Sequence, residues 1–163
     1  MTNKRHLNLY FTASIAAKEK YQPYYEKIVD HITAQGHHVV ADHIMNATEK
    51  QVSISSREDR LKFHNQLERW IYSCDGLIAE TSFPSISVGY EISMALRVGK
   101  PVLILYSEGE PPSLLAQHKD EKVLCERYTN QTLPSILNDY VHYIQSKSDL
   151  RFTFFITPQI ASY

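Results

Sequence analysis

The clearest indication of the fold lies in one stretch, Gly76-Leu-Ile-Ala-Glu-Thr-Ser-Phe-Pro-Ser-Ile-Ser-Val-Gly-Tyr-Glu91. Its first four residues are an uninterrupted apolar run, which is typical of a strand buried on both faces of a sheet. Pro84 and Gly89 then indicate a tight connection to a helix over residues 87–98, whose apolar residues recur at helical spacing. A buried strand that leads directly into an amphipathic helix is the repeating unit of parallel α/β sheets.

The same alternation of short apolar runs and amphipathic runs continues on both sides of this stretch. A capping box, Ser55-x-x-Glu58, is expected to open one of the helices. The pattern predicts an α/β fold with a doubly wound, five-stranded parallel sheet in three layers. The predicted strands cover residues 6–11, 38–41, 76–79, 101–106 and 122–125, and the predicted helices cover residues 18–34, 55–74, 87–98 and a segment around 137–144.

Length and composition limit the classes of protein to which the chain can belong. Its 163 residues suit one α/β domain, and its net charge of −1 argues against a protein that coats nucleic acid. The chain has no apolar run of about 18 residues that would predict a membrane span, and its polar N-terminus lacks the apolar stretch of a signal peptide. Two cysteines, Cys74 and Cys125, fit free thiols in a reducing, cytoplasmic compartment.

The last part of the chain departs from the alternating pattern. Residues 1–147 account for the α/β domain, and residues 148–163 include a strand-like segment, Arg151-Phe-Thr-Phe-Phe-Ile-Thr-Pro158. This segment could be a sixth strand, an arm that pairs with another subunit, or the start of an element that is cut off. An edge or arm strand is the simplest interpretation.

Ligands of open parallel sheets bind outside the carboxyl ends of the strands, where the strand order reverses. Ser85 and Ser87 stand where a helix begins, so they could cap the helix or bind an anion together with its unpaired backbone N–H groups. The rule selects the polar residues that follow four strands, which are Tyr10, Thr12 and Ser14, then Asp42 and His43, then Glu80, Thr81, Ser82, Ser85 and Ser87, then Ser107 and Ser113.

Glu91 lies in the first or second turn of the helix that Ser85 precedes. A glutamate at such a position commonly does no more than interact with the helix dipole from the surface. Its place beside the switch point favours a second interpretation, in which the carboxylate attacks the anomeric carbon of a sugar through an oxocarbenium-like transition state. The second interpretation requires the carboxylate to face away from bulk solvent.

The sequence lacks the motifs that are typical of metal sites and of dinucleotide or P-loop sites. The eight histidines include no HExxH spacing, the two cysteines form no CxxC pair, and no glycine-rich dinucleotide or P-loop motif is present. We therefore expect neither a metal nor an organic cofactor.

At the strand ends the sequence resembles those of the nucleoside 2-deoxyribosyltransferase superfamily. It is most similar to the branch of 2'-deoxynucleoside 5'-monophosphate N-hydrolases. The resemblance covers roughly residues 7–145 and is most specific in Pro84-Ser-Ile-Ser-Val-Gly-Tyr-Glu-Ile92. It implies a flavodoxin-like (Rossmann-like) fold and a deoxynucleotide or nucleoside as the ligand. The supporting pieces are Leu9-Tyr-Phe-Thr-Ala-Ser-Ile15, Ala41-Asp-His-Ile44, Asp75-Gly-Leu-Ile-Ala-Glu80 and Lys100-Pro-Val-Leu-Ile-Leu-Tyr106.

The resemblance also implies roles for individual residues. Glu91 matches the nucleophile that attacks C1' of the deoxyribose, and Tyr10 matches the tyrosine that orients it. The phosphate would be held by serines, one of which the neighbouring subunit of a homodimer supplies at the position of Ser113. Serine at position 85 favours a nucleotide, because a carboxylate there would repel the phosphate. The implied substrate-binding positions are Ser14, Ile15, Asp42, His43, Ser85, Ser87, Gly89 and Ser113.

Two departures from the family pattern concern activity. The hydrolase branch carries a glycine-flanked arginine after the phosphate-binding serine, where this chain has Ala16-Ala17-Lys18. The family also carries an aspartate implicated in acid catalysis where this chain has Leu67, so Asp42 or Glu80 would have to supply the proton. Three functions follow from these residues: hydrolysis of deoxynucleoside monophosphates, transfer of deoxyribose to a second base, and a nucleotide-binding or sensor module with impaired catalysis.

Overall fold

The computed structural model describes residues 4–53 and 55–155. Neighbouring strands are parallel throughout, and their order is β2-β1-β3-β4-β5. This is the flavodoxin-like order, and it confirms the predicted fold class. Within the described residues the sheet consists of β1 (Asn8–Ala13), β2 (His38–Val40), β3 (Gly76–Glu80), β4 (Val102–Tyr106) and β5 (Val123–Arg127).

Helices cover both faces of this sheet. In the described part of the chain they are α1 (Lys18–Ala34), α2 (Asp42–Met45), α3 (Glu49–Ser53), α4 (Arg57–Ser73), α5 (Ile86–Arg97), α6 (Ser113–Ala116) and α7 (Leu133–Phe155). Helices α1 and α7 share a core with Phe11 and Ile78, whereas α4 and α5 share a second core with Leu77 and Ala79. Successive residues of a strand therefore point into different layers, which gives the predicted three-layer arrangement.

The strand order reverses at β1, which has β2 on one side and β3 on the other. The carboxyl ends of β1 and β3 are in register, because Ala13 pairs with Glu80. The segments that follow these two strands, residues 14–17 and 81–85, therefore border the crevice in which such sheets bind ligands.

Tyr140 of α7 holds the amino end of β3. Its hydroxyl lies 3.1 Å from the carbonyl oxygen of Leu77 and 2.8 Å from that of Pro101, so it joins β3 to the segment that begins β4. Gly76 opens the strand because a Cβ at this position would collide with Tyr140 Oη and with Ile144. The glycine at the start of the apolar run is thus required by close packing.

The start of α4 differs by one residue from the sequence prediction. Ser56, not Ser55, is the N-cap, and its Oγ accepts a hydrogen bond from Asp59 N at 3.1 Å. The hydroxyl of Ser55 instead donates to Val52 O at the end of the preceding turn. Phe63 of this helix is 46% exposed.

The strand predicted after residue 147 is wrong for the part of it that the structure describes. Helix α7 continues to Phe155, so the boundary predicted between residues 147 and 148 falls inside a helix. Residues with strand propensity can extend a helix because each further residue adds a hydrogen bond without a new nucleation cost. Residues 156–163 lie outside the described residues, and an arm there stays a prediction. No helix among the described residues is both long and apolar enough to cross a membrane.

Candidate active site

Glu91 and Tyr10 form a buried pair beside the switch point. Glu91 lies in the second turn of α5 and is only 7% exposed, and Tyr10 in β1 is fully buried. Tyr10 Oη donates a hydrogen bond to Glu91 Oε2 at 3.0 Å. The carboxyl group therefore does not interact with the helix dipole from the surface, which was the alternative that the sequence left open.

Burial sets the electrostatics of this pair. It raises the pKa of Glu91 to about 7, although the hydroxyls of Thr12 and Tyr10 act to lower it. Burial and then the charge of Glu91 raise the pKa of Tyr10, so the phenol stays protonated and remains the donor. A desolvated carboxylate that still ionises near neutral pH has the properties of a nucleophile or a general base.

An aromatic cluster lies against this pair. His43, in the first turn of α2, stacks on Tyr10 with ring centroids 4.9 Å apart and planes at 21°. Trp70 of α4 lies 5.3 Å from the ring of His43, and Phe63 packs edge-on against Trp70 at 6.3 Å. Flat aromatic surfaces of this kind suit the stacking of a nucleobase.

Three buried polar atoms in this region have no hydrogen-bond partner of acceptable geometry among the described residues. They are Thr12 Oγ1 and both ring nitrogens of His43, and Thr12 is nevertheless close enough to Glu91 to lower its pKa. Burial lowers the pKa of His43 to about 4, so its imidazole is neutral at pH 7 and offers one donor and one acceptor. Since buried polar atoms are nearly always paired in native proteins, these atoms indicate where a polar ligand would bind.

Ser85 caps α5, as one interpretation of the sequence expected. Its Oγ accepts a hydrogen bond from Val88 N at 3.3 Å. Ser87 and Gly89 lie exposed in the first turn of the helix. Gly89 does not shape the strand-to-helix connection, which residues 81–85 form, and a Cβ added to it would meet nothing within 4 Å.

Ser14 and Ile15 follow β1 directly, at the other border of the crevice. Ser14 is buried, and its carbonyl oxygen accepts a hydrogen bond from Tyr25 Oη at 3.0 Å. Ile15 is half-buried, and its carbonyl oxygen accepts from Lys18 N at the start of α1. Ser113 begins α6, but its side chain is outside what the structure describes, so its role as a phosphate ligand stays a prediction.

The structure shows which contacts the residues make at the two positions where the sequence departs from the family pattern. Leu67 is buried in the core beneath α4 and α5, which agrees with a packing role. The ammonium group of Lys18 donates to the carbonyl oxygens of Met45 and Ala47, so it is engaged with the end of α2. Asp42 is exposed in the first turn of α2, where its charge acts to raise the pKa of His43.

Glu80 does not face Glu91, although the sequence made it a candidate proton donor. It shares the face of β3 with Ile78, which packs towards α1 and α7. Its carboxylate accepts a hydrogen bond from Tyr128 Oη at 3.0 Å and another from Ser82 Oγ. Sequence reasoning missed this network, since no periodic pattern relates residues 80 and 128.

Two cavities lie at the opposite end of the sheet, where the strands begin. A cavity of about 570 Å³ is bordered by Arg5, Asp75 and Lys100, and one of about 470 Å³ by His6 and His37. These residues precede strands rather than follow them, so the rule for open sheets does not favour either cavity as the main site. No cluster of three or more His, Cys, Asp or Glu side chains among the described residues is arranged to hold a metal ion.

A parallel α/β sheet with a buried carboxylate beside its switch point is typical of enzymes that act on small molecules. The pattern of the nucleoside 2-deoxyribosyltransferase family matches residues 9–131. The chain therefore belongs to the nucleoside 2-deoxyribosyltransferase family. This confirms the resemblance found in the sequence.

Individual relatives agree with this membership. The 5-hydroxymethyl-dUMP N-hydrolase of Rattus norvegicus is 30% identical over 99 residues, which are 61% of this chain and 60% of the rat protein. The 5-hydroxymethyl-dUMP N-hydrolase of Esox lucius is 27% identical over 139 residues, which are 82% of this chain and 95% of the pike protein. The solved structure of a CMP N-glycosidase from Clostridium botulinum is 21% identical, covers 88% of this chain and 98% of its own, and has a TM-score of 0.53, which supports the fold.

Proposed function

We propose that this protein hydrolyses the N-glycosidic bond of 2'-deoxynucleoside 5'-monophosphates, releasing the free base and 2-deoxyribose 5-phosphate. The observation that carries the proposal is the buried Glu91 carboxyl, held by Tyr10 at the switch point of the sheet. Relatives named as N-hydrolases of a deoxynucleoside monophosphate support the choice of reaction and substrate.

The proposed chemistry proceeds in two displacements at C1' of the deoxyribose. Glu91 attacks C1' as the C1'–N bond breaks, and the electron pair of that bond leaves with the base. Water then attacks the same carbon and releases Glu91 as the carboxylate, and the proton that this water loses passes through solvent to the nitrogen of the departed base. The hydrogen bond from Tyr10 to Oε2 fixes the carboxylate, so the second oxygen, Oε1, can be directed at the sugar.

The phosphate would be held by hydroxyl groups at the border of the crevice. Ser14 and Ser85 follow the two neighbouring strands β1 and β3, and Ser85 stands at the positive end of α5. Ser113 would contribute a third hydroxyl from the partner subunit. Uncharged hydroxyls at these positions favour a nucleotide over a nucleoside.

The base would lie on the aromatic cluster. Asp42 and His43 border this region, and the unpaired nitrogens of His43 could exchange hydrogen bonds with the edge of a base. Leu67 offers no proton to the departing base, so substrates with a stable leaving anion would react fastest.

A second candidate function is a nucleotide-binding or sensor module that keeps the pocket without turnover. Leu67 and Ala16 favour it, because they stand where the family carries an aspartate implicated in acid catalysis and an arginine that contacts the phosphate. Lys18 is engaged with the end of α2 and is a poor geometric substitute for that arginine. The transferase reaction differs from hydrolysis only in the acceptor, since a second base takes the place of water.

We also propose a homodimer with a shared active site in the cytoplasm. Exposed apolar side chains near the crevice, Phe83, Ile86 and Tyr90, would be covered by a second copy, and Ile86 is 95% exposed. Leu114, next to the serine that the partner would supply, is also exposed. The free thiols Cys74 and Cys125 suit a reducing compartment.

The test is incubation with each of the four 2'-deoxynucleoside 5'-monophosphates, with free base measured by chromatography. Hydrolysis predicts base release by the parent protein and none by Glu91→Ala. Exchange of the base after addition of a second free base would assign the transferase reaction instead. If neither protein releases base while a nucleotide still raises Tm, the protein is a binding module and the enzyme proposal is wrong.

A further inference from the structure

Glu80 is a buried carboxylate that the proposed chemistry does not use. It is 1% exposed, and its two oxygens accept hydrogen bonds from Ser82 Oγ, from Ser82 N at 3.3 Å and from Tyr128 Oη at 3.0 Å. A buried carboxylate is costly unless it is satisfied in this way, so its presence needs an explanation beyond packing.

Ser82 extends this network to β4. Ser107 N donates to Ser82 Oγ at 2.8 Å, and the hydroxyls of Ser82 and Ser107 lie 3.0 Å apart. Because the one proton of Ser82 Oγ goes to Glu80, Ser107 must donate in the hydroxyl pair. The carboxylate therefore sets the direction of the hydrogen bonds that the hydroxyl groups of the network donate.

The network joins the segments that follow three neighbouring strands. Ser82 follows β3, Ser107 follows β4 and Tyr128 follows β5. The loop at residues 81–85 is thus attached at its start to β4 and β5, and Thr81 N adds a bond to Leu105 O at 2.7 Å. At its other end the same loop carries Ser85, the cap of α5.

We infer that Glu80 is a positioning residue for the 5'-phosphate, holding the loop at residues 81–85 so that the Ser85 hydroxyl and the first turn of α5 stand at the crevice. The inference rests on the proposed function, because it assigns a role at the same site. Glu80 acts through Ser82 and does not itself touch the substrate.

The experiment compares Glu80→Gln and Tyr128→Phe with the control Tyr140→Phe. Tyr128 and Tyr140 are both buried and both lose one hydroxyl, but Tyr140 lies at the amino end of the sheet. The measurements are kcat and KM for a deoxynucleoside monophosphate, the Kd of 2-deoxyribose 5-phosphate by titration calorimetry, and Tm.

Glu80→Gln is expected to raise KM and the Kd of 2-deoxyribose 5-phosphate about tenfold, while kcat stays within about twofold. The reason is that the NH2 group of glutamine would replace one accepting oxygen and would face another donor, either Ser82 N or a hydroxyl group. Tyr128→Phe should raise both constants about threefold. Tyr140→Phe should lower Tm without changing either constant. A change in the Glu80→Gln constants no larger than that of Tyr140→Phe would overturn the inference.

The two proposals fail in distinguishable ways. If the parent releases no base, hydrolysis is wrong, and the Kd of 2-deoxyribose 5-phosphate alone decides the role of Glu80. If the parent does not bind that ligand, the inference is wrong as well. Should Glu80→Gln fail to fold, Tyr128→Phe and Ser107→Ala carry the same comparison.

Discussion

Glu80 and Glu91 are two buried glutamates near the carboxyl end of the same sheet, on opposite faces of it. Burial raises the pKa of both carboxyl groups. Glu80 accepts hydrogen bonds from both Ser82 and Tyr128. Among the described residues, Glu91 accepts one well-formed hydrogen bond, from Tyr10. The first carboxylate is fully engaged in holding the fold, while the second keeps an oxygen available for a ligand.

Burial alone therefore does not identify a reactive carboxylate. Desolvation raises the energy of both anions, and hydrogen bonds then lower that energy to different extents. A reactive group is one for which the remaining stabilisation comes from the substrate or transition state.

The largest expected difference is in catalysis. Glu91→Gln should lower kcat for monophosphate hydrolysis by about 10⁴-fold or more, because an amide cannot act as the nucleophile. Glu80→Gln is the matched control and should keep kcat, so single-turnover base release by the two variants measures the contrast directly. Substantial turnover by Glu91→Gln would show that Glu91 does not form the bond to C1'.

A smaller difference is expected in the pH dependence of stability. The pKa of Glu91 is about 7 in the folded state against an ordinary value of 4.5, so the folded protein binds the proton more tightly and this group makes stability fall between pH 4.5 and about 7. Relative to the parent, Glu91→Gln should therefore gain up to about 3 kcal/mol in unfolding free energy across this window.

The change is measured by urea unfolding of parent and variant at several pH values. His43 has the opposite slope in the parent, because its pKa is lowered to about 4, but its contribution cancels in the difference between the two proteins. A difference between parent and Glu91→Gln that stays flat with pH would contradict the raised pKa.

The smallest effect concerns where a negative charge is tolerated. Ser85→Asp should raise KM for the monophosphate by about 10- to 100-fold through repulsion of the phosphate, while the helix stays capped. Ser56→Asp makes the same change at the N-cap of α4 and should leave KM unchanged. Equal KM values for the parent and Ser85→Asp would remove Ser85 from the phosphate site.

Much of the fold could be predicted from the sequence because its signals are local. The spacing of apolar residues predicts α1 at residues 18–34, and the continuous apolar run at Gly76 predicts a fully buried β3. The position of Glu91 relative to the switch point follows from the same reasoning, since it needs only the order of strand, loop and helix.

The remaining features depend on contacts that no local pattern encodes. The bond between Ser82 and Ser107 joins residues 25 apart, and the packing of Tyr10 on His43 depends on the path of the chain after β2. The choice of Ser56 over Ser55 as a cap depends on the preceding turn, which uses the hydroxyl of Ser55. Side-chain competition of this kind appears only in three dimensions.

Tyr140 fastens β3 to the start of β4 at one end of the sheet, and the Glu80 network fastens the segments after them at the other. Hydrogen bonds thus hold this pair of strands at both ends, in addition to the bonds of the sheet itself. The conformational entropy of the loop at residues 81–85 is therefore lost when the chain folds and not when a nucleotide arrives. With Ser85 in its proposed role, this preorganisation allows tight recognition of a small ligand, because little ordering opposes association.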